Sequence, residues 1–209
     1  MAPSRGPTKI VCVGRNYRAH AAELGNEVPP EPLIFLKPPS ALIGAGDSIV
    51  LPRGAGRVDF EGEIGVVIGR RARHVNEEDA WSHAGGVLPL NDVTARELQK
   101  SDGQWTRAKG FDTFCPVGDP VPAADIDPMA LEVVTRVNGR ERQRGRARDM
   151  AFGIPFLIAW VSRIMTLEEG DLLATGTPEG IGPLAADDFV EVEIPGVGVL
   201  GNPVRAEAR

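Results

Sequence analysis

Residues 58–69 read Val58-Asp59-Phe60-Glu61-Gly62-Glu63-Ile64-Gly65-Val66-Val67-Ile68-Gly69. Acidic and apolar residues alternate through the first half, and the second half is rich in β-branched residues, so the spacing predicts one strand. Residues two apart on a strand project to the same side. Asp59, Glu61 and Glu63 therefore share a face, where they repel one another unless something positive sits among them. A solvated sheet edge would relieve the repulsion by exposure. The acids, however, lead into Ile64–Ile68, a near-continuous apolar run of the kind found in buried strands. A buried carboxylate without a partner is costly, which makes a bound cation the other solution. From this stretch alone both a solvated edge and a metal site remain open.

The rest of the chain sets the frame. Its 209 residues are 42% hydrophobic, enough for one domain with a real core. A formal net charge of -6 argues against nucleic acid or an anionic membrane surface as partner. No apolar run approaches the ~20 residues that span a bilayer, and Met1–Pro7 lacks the apolar stretch of a signal peptide. Cys12 and Cys115 are the only cysteines and sit among apolar residues, the pattern of reduced core thiols in a cytoplasmic protein.

In chain order, residues 1–8 are expected to form a flexible tail, and residues 9–209 a single domain. Lys9–Val13 is a short buried strand. It is followed by a short helix, Arg18–Gly25, on which His20 and Glu23 share a face; a lone pair of this kind is most often an incidental surface contact. Asn26–Pro32 is a Pro- and Glu-rich loop, and Leu33–Leu36 is a strand that delivers Lys37. Gly86–Leu90 ends in Asn91-Asp92, ahead of a helix over Ala95–Lys100 for which Asp92 or Thr94 is a natural cap. Arg96 and Gln99 share a face of that helix. His74 and His83 have no assigned role.

Asn138-Gly139 is a strong hairpin signal after Leu131–Val137. The basic run Arg140–Arg148 reads as a solvated hairpin face. Asp149 is a candidate cap for a helix over Ala151–Met165, in which Pro155 is tolerated near the start. Asp171–Ala174 is a strand leading into a Gly-rich loop, Thr175–Pro183. That loop lacks the Lys and the spacing of a P-loop, so no nucleotide is expected there. A final hairpin turns at Pro195-Gly196. Many short strands without regular helix alternation predict an α+β, mainly β, mixed-sheet roll with a short N-terminal lid helix.

Seven segments in the same order resemble the fumarylacetoacetate hydrolase superfamily over about Lys9–Val204. They are KIVCVGRNYRAHAAELG, LIFLKPPSALIG, VDFEGEIGVVIG, NDVTARELQ, RAKGFDTFCPVG, TLEEGDLLATGTPEGIG and the closing hairpin. The chain is most similar to small single-domain members: acylpyruvate hydrolases, 2-hydroxyhepta-2,4-diene-1,7-dioate isomerases and oxaloacetate-decarboxylating proteins. The resemblance implies a homodimer with one divalent cation per chain, Mg²⁺ or Mn²⁺, which Ca²⁺ can replace in crystals. It places the metal ligands at Glu61, Glu63 and Asp92, with Asp59 as a neighbour. It makes His20 and Glu23 an acid–base dyad with Lys109 beside them. It puts Lys37, Arg96, Gln99 and Thr177 around a small 2-oxo acid, whose carboxylate Arg96 or Arg15 can bind in bidentate fashion.

All-carboxylate ligation favours a hard, oxygen-loving ion. The activity implied is hydrolysis of a C–C bond in acylpyruvate-type 2,4-dioxo acids through a stabilised enolate, with oxaloacetate decarboxylation as a related reaction. The alternative is isomerisation or decarboxylation of seven-carbon dienedioates and related tricarboxylates in aromatic-acid catabolism. A remote alternative is a metal-stabilised binding protein without catalysis. The lid helix and the loop after it are expected to close over substrate, with His20 far from the metal when no ligand is bound.

Overall fold

The computed structural model describes residues 6–23, 25 and 27–208. Of the expected tail, residues 1–5 lie outside the described residues, as do Leu24 and Asn26 at the end of the lid helix. The fold is mainly β, as the sequence predicts. A six-stranded sheet has the order Val121–Pro122, Ala84–Asn91, Gly62–Ile68, Leu172–Ala174, Ile10–Gly14, Leu33–Lys37. Every pairing in it is antiparallel except that of Ile10–Gly14 with Leu172–Ala174. A five-stranded sheet has the order Arg140–Arg146, Glu132–Val137, Phe189–Ile194, Gly198–Ala206, Ile49–Leu51. Its hairpin turns on Asn138 and Gly139, both at positive φ (52° and 74°), as the Asn-Gly signal requires.

Residues 58–69 form two strands, not one. Val58–Phe60 belongs to a small sheet with Thr94–Ala95 and Gly182–Pro183, whereas Gly62–Ile68 lies inside the six-stranded sheet. The break falls at Glu61, where side chains take over from the ladder. Glu61 N–H donates to Asn91 Oδ1 at 2.9 Å, and Gly62 N–H donates to Gln143 Oε1 at 3.0 Å. A Cβ on Gly62 would lie 1.9 Å from Thr135 Oγ1, so the chain passes this point only as glycine. The break also takes Asp59 out of the acidic row, because Arg57 and Arg96 both claim its carboxylate.

Strand alternation gives the six-stranded sheet two different faces. Val11, Val13, Ile64, Val66, Val87 and Leu173 pack on one side with the Ile154–Ile164 helix and with Val133, Val192 and Leu200 of the five-stranded sheet. Ile10, Cys12, Leu88, Leu90, Leu172 and Ala174 pack on the other with Cys115. That second face carries Glu63. Both cysteines are buried free thiols, and burial raises the thiol of each. The Ile154–Ile164 helix starts after Gly153, with Pro155 in its first turn; Asp149 lies in a preceding 3-10 turn and does not cap it. Among the described residues no helix is long and apolar enough to cross a membrane.

The end of the expected tail is held down. Asp171 is fully buried and accepts from Thr8 N–H (2.9 Å), Thr8 Oγ1 (2.7 Å), Lys9 N–H (3.1 Å) and Glu168 N–H (2.8 Å), and it pairs with the Lys9 amine. Burial alone would raise this carboxyl, but the donors outweigh it and hold it below the usual range. A lowered folded value means stability that is present at neutral pH and lost as pH falls through that value. Asp171→Asn should therefore cost about 1–3 kcal/mol at pH 7. The gap between wild type and variant should close toward about pH 3, where the unfolded carboxyl also protonates. Urea denaturation at both pH values checks this; a gap that does not change with pH removes the charge from the account.

Candidate active site

Three chain segments bring the acids together. Glu63 projects from the Gly62–Ile68 strand, Glu61 sits at the break before it, and Asp92 follows the Ala84–Asn91 strand. Asp92 N–H donates to the Glu61 carbonyl at 2.8 Å, which locks two of the three together through the backbone. One oxygen from each carboxylate lies within 4.8 Å of the others, and all three residues are at most 5% exposed. The solvated-edge alternative is thereby excluded. The cap reading of Asp92 also gives way: the helix is Arg96–Ser101, Ala95 precedes it, and no side chain caps it. The Asp92 carboxylate is bound by lysines instead, and Thr94 Oγ1 donates to the Asp92 carbonyl.

The charges are unevenly shared. Glu61 receives Arg96 Nη2 at 2.5 Å and Lys109 Nζ at 2.8 Å. Asp92 receives Lys37 Nζ at 2.6 Å and Lys109 Nζ at 2.5 Å. Glu63 has only the Gly176 N–H, at 2.8 Å, and no cationic partner among the described residues. The titration of these groups follows. Burial would raise Glu61, but Lys109 and Arg96 overcome it and hold it far below the usual carboxylate range. Burial raises Glu63, and the charges of Asp92 and Glu61 push it further in the same direction. For Lys109, burial works toward neutrality, but Asp92 and Glu61 keep the amine charged. A hard divalent cation fits this set: oxygen ligands only, buried, with Glu63 lacking a cationic partner among the described residues. The buried thiols lie outside the cluster.

The acids open into a cavity of about 500 Å³. Its wall includes most of the residues expected there: Arg15, His20, Glu23, Arg96, Gln99, Lys109 and Thr177. Their roles differ from a simple ring of substrate contacts. All three donor nitrogens of Arg96 are engaged: Nε with Asp59 at 3.0 Å, Nη1 with Gln99 at 2.6 Å and Nη2 with Glu61. Thr177 Oγ1 donates to the Gly62 carbonyl at 2.9 Å and accepts from Gln143 Nε2 at 2.7 Å, so it braces the strand break. Lys37 is absent from the wall. It lies behind Asp92, with its second bond to the Val93 carbonyl at 3.1 Å. Tied to two oxygens, the buried amine holds the orientation of Asp92.

The lid helix is Arg18–Glu23. Contrary to the expected open position, His20 is buried and faces the cavity. Its Nδ1 lies 3.3 Å from Glu23 Oε2, and Glu23 also accepts the Gly180 N–H at 3.1 Å. The Gly-rich loop therefore anchors the residue that orients the histidine. With Nδ1–H donating to Glu23, Nε2 keeps its lone pair for the cavity.

Sequence reasoning missed several residues. Phe35 and Trp105 form an apolar wall, edge to face with centroids 5.2 Å apart, and Lys109 Nζ lies 4.8 Å from the Phe35 ring centre. Gly14 admits Trp105, since a Cβ there would be 2.9 Å from the ring. Lys100 also lines the cavity. Gln143 and Asn91 support the break. Gln143 carried a readable signal, as a neutral residue within the Arg-rich strand whose neighbours are exposed.

The fumarylacetoacetate hydrolase C-terminal family pattern matches residues 9–205. An oxaloacetate tautomerase described as mitochondrial, from Arabidopsis thaliana, is 49% identical over 91% of this chain and 87% of its own length. The crystal structure of a 2-hydroxyhepta-2,4-diene-1,7-dioate isomerase from Mycobacterium marinum is similar at 45% identity with a TM-score of 0.89, covering 97% of this chain and 76% of that one. A fumarylpyruvate hydrolase from Pseudomonas aeruginosa, solved with Mn²⁺ and pyruvate, is similar at 32% identity with a TM-score of 0.90, covering 95% and 90% of the two chains.

Glu63 supplies the clearest test of the metal site. A carboxyl whose folded value is raised costs stability once pH climbs past the unfolded value. In chelator-treated protein at pH 7, Glu63→Gln should therefore match or exceed the wild type in thermal stability. Adding Mn²⁺ at one hundred times Kd should stabilise the wild type by about 2.7 kcal/mol and leave the variant unmoved. Equal Mn²⁺ stabilisation of both proteins in a thermal-shift titration counts against Glu63 as a ligand.

Proposed function

The chain belongs to the fumarylacetoacetate hydrolase family, and from that premise we propose that it acts on a small 2-oxo acid through its enolate. In this reading Glu61, Glu63 and Asp92 hold Mg²⁺ or Mn²⁺, and His20 moves the proton. One observation carries it: a carboxylate-oriented histidine and a cluster of three acids border the same cavity. When bound, the divalent cation supplies Lewis-acid stabilisation of the negative charge that develops on the 2-oxo end of the substrate.

The chain's own residues do the rest. Lys37 and Arg96 fix the orientations of Asp92 and Glu61, and Thr177 braces Gly62 between Glu61 and Glu63. His20 Nε2 takes a proton from the carbon beside the keto group and can return it elsewhere on the conjugated system. Glu23 stabilises the imidazolium formed in between. Lys109, fully charged and beside the acids, steadies negative charge on a substrate oxygen. Phe35 and Trp105 shield that charge from water, which strengthens each of these contacts.

Proton transfer of this kind, as in keto–enol tautomerisation or double-bond isomerisation, asks least of the site because no attacking water has to be placed. The names of the Arabidopsis and Mycobacterium marinum relatives agree with it. Hydrolysis of acylpyruvate-type 2,4-dioxo acids is the second reading, supported by the fumarylpyruvate hydrolase neighbour. It adds two steps: His20 draws a proton from water as that water attacks the distal carbonyl, and the C–C bond then breaks to leave a carboxylic acid and the 2-oxo acid enolate, which takes up the proton.

Purified protein with Mg²⁺ or Mn²⁺ should be assayed on oxaloacetate, fumarylpyruvate, acetylpyruvate and a seven-carbon dienedioate. His20→Ala should lower kcat on whichever substrate turns over by roughly 10² to 10⁴. It should still bind metal and oxalate, a flat dianion that imitates the enolate of pyruvate. Glu23→Ala should lose less, since the histidine remains but is poorly oriented. Full activity in His20→Ala would refute the dyad.

A further inference from the structure

Of the three partners on the Arg96 guanidinium, Glu61 and Gln99 border the main cavity and Asp59 does not. Nε donates to Asp59 Oδ2 at 3.0 Å, Nη1 to Gln99 Oε1 at 2.6 Å and Nη2 to Glu61 Oε1 at 2.5 Å. A guanidinium is planar and rigid, so holding one nitrogen restricts the directions in which the others point. The bond at Nε thus helps to aim Nη2 at one of the three acids and Nη1 at the cavity wall.

Asp59 is itself held. It is fully buried, and Arg57 grips both of its oxygens, through Nε at 2.6 Å and Nη2 at 3.1 Å. The Arg57 carbonyl also accepts the Arg96 backbone N–H at 2.8 Å. Strand pairing of Val58 with Ala95 and of Asp59 with Thr94 keeps the two segments in register. Arg57 is exposed and borders a smaller cavity of about 220 Å³ beside the main one, together with Asp59 and Arg96. Charge-assisted contacts therefore run inward from the surface in the order Arg57, Asp59, Arg96, Glu61. A buried ion pair alone is weak evidence of any purpose; this series ends on one of the three clustered acids. We propose that Asp59 and Arg57 are positioning residues of the metal centre, which act through Arg96 to set the direction of the Glu61 carboxylate without touching metal or substrate. This rests on the reading of Glu61, Glu63 and Asp92 as metal ligands, and it adds to them two residues outside the main cavity.

Action by position and action by charge differ in sign. As distant charges only, loss of the anion Asp59 would weaken the binding of a cation, and loss of the cation Arg57 would strengthen it. As positioning residues, both losses weaken it, because both leave Arg96 less well fixed. The test is an electron paramagnetic resonance titration with Mn²⁺ of wild type, Asp59→Asn, Arg57→Met and the double variant, at a temperature where circular dichroism shows each to be folded. Asp59→Asn should weaken Mn²⁺ binding by about 10–100-fold, the usual cost of losing a group that orients a ligand. Arg57→Met keeps the backbone bond to Arg96 and lies at an exposed position; it should weaken binding in the same direction by a smaller factor. The double variant should bind no more weakly than Asp59→Asn, because Arg57 acts through Asp59. Unchanged or tighter binding in Arg57→Met, a loss of less than about tenfold in Asp59→Asn, or full addition of the two losses overturns the proposal. A lowered thermal midpoint with unchanged Mn²⁺ affinity overturns it too, and leaves the pair a part of the fold only. If wild type binds no Mn²⁺, the metal reading fails, and the positioning role fails with it.

Discussion

Three carboxylates buried within a few ångströms of one another are the constraint on which this structure depends. Each would be expensive alone, and together they repel. Parts of the chain distant in sequence are recruited to hold them. Lys37 ends the edge strand of the main sheet, Lys109 comes from the Thr106–Lys109 helix, and Arg96 opens the helix after Asp92. The Gly176 amide reaches Glu63 from the Gly-rich loop. Glu61 and Asp92 each keep two cationic partners, so only the loss of both would leave the acid uncompensated, at a cost of about 3–5 kcal/mol in comparable sites. The centre thus ties sheet edge, helices and loop into one unit. Glu63 alone of the three has no cationic partner among the described residues, and a divalent ion would supply one.

The break at Glu61 gives that unit its geometry. A single straight strand would put Asp59, Glu61 and Glu63 in one row. Splitting it between two sheets leaves Asp59 with Arg57 and Arg96, and the triad is completed by Asp92 from another strand. Asn91, Gln143 and Thr177 supply the hydrogen bonds that the interrupted ladder forgoes. Thr135 Oγ1 and Asn91 Nδ2 are buried there without partners, so the local network favours position over complete satisfaction.

What was legible in the sequence follows from the range over which each signal acts. The alternation of acids with apolar residues, the Asn138-Gly139 hairpin and the Pro155 helix start are local, and each reappears in the structure. The mainly β class followed from counting such local signals. The strand break was hidden because its causes, Gln143 and Thr135, lie more than seventy residues away in sequence. The same applies to Asp92: a cap and a ligand look alike in sequence, and only Lys37 and Lys109 separate them. The resemblance to a known family located the acids, His20 and Glu23. It also placed Lys37, Arg96 and Thr177 around substrate; Arg96 and Thr177 line the cavity while also holding Glu61 and Gly62, and Lys37 lies behind Asp92, off the wall. Phe35, Trp105 and Lys100 carry no local pattern that marks them as cavity wall.

This division between centre and rim has a consequence for how reactions diverge on such a fold. Changes at the centre expose buried, interlocked charges and are costly. Residues at the rim are at least partly exposed: Lys100 is exposed, and Arg15 and Trp105 are half-buried. They can change at little cost to stability. Relatives named as a tautomerase, an isomerase and a hydrolase align over nearly the whole of this chain. If a shared centre stabilises one kind of enolate, the choice among these reactions rests with the groups that decide what lies next to that enolate. Groups so placed in this chain are the aromatic pair Phe35 and Trp105 on the cavity wall and the helix that carries His20. A hydrolase must admit one water beside the histidine, whereas a tautomerase must keep it out. In this chain Glu23 holds His20 and is itself held by Gly180, so the position of the histidine is set where its helix meets the Gly-rich loop. That contact lies outside the metal centre and can be altered without disturbing the buried charges.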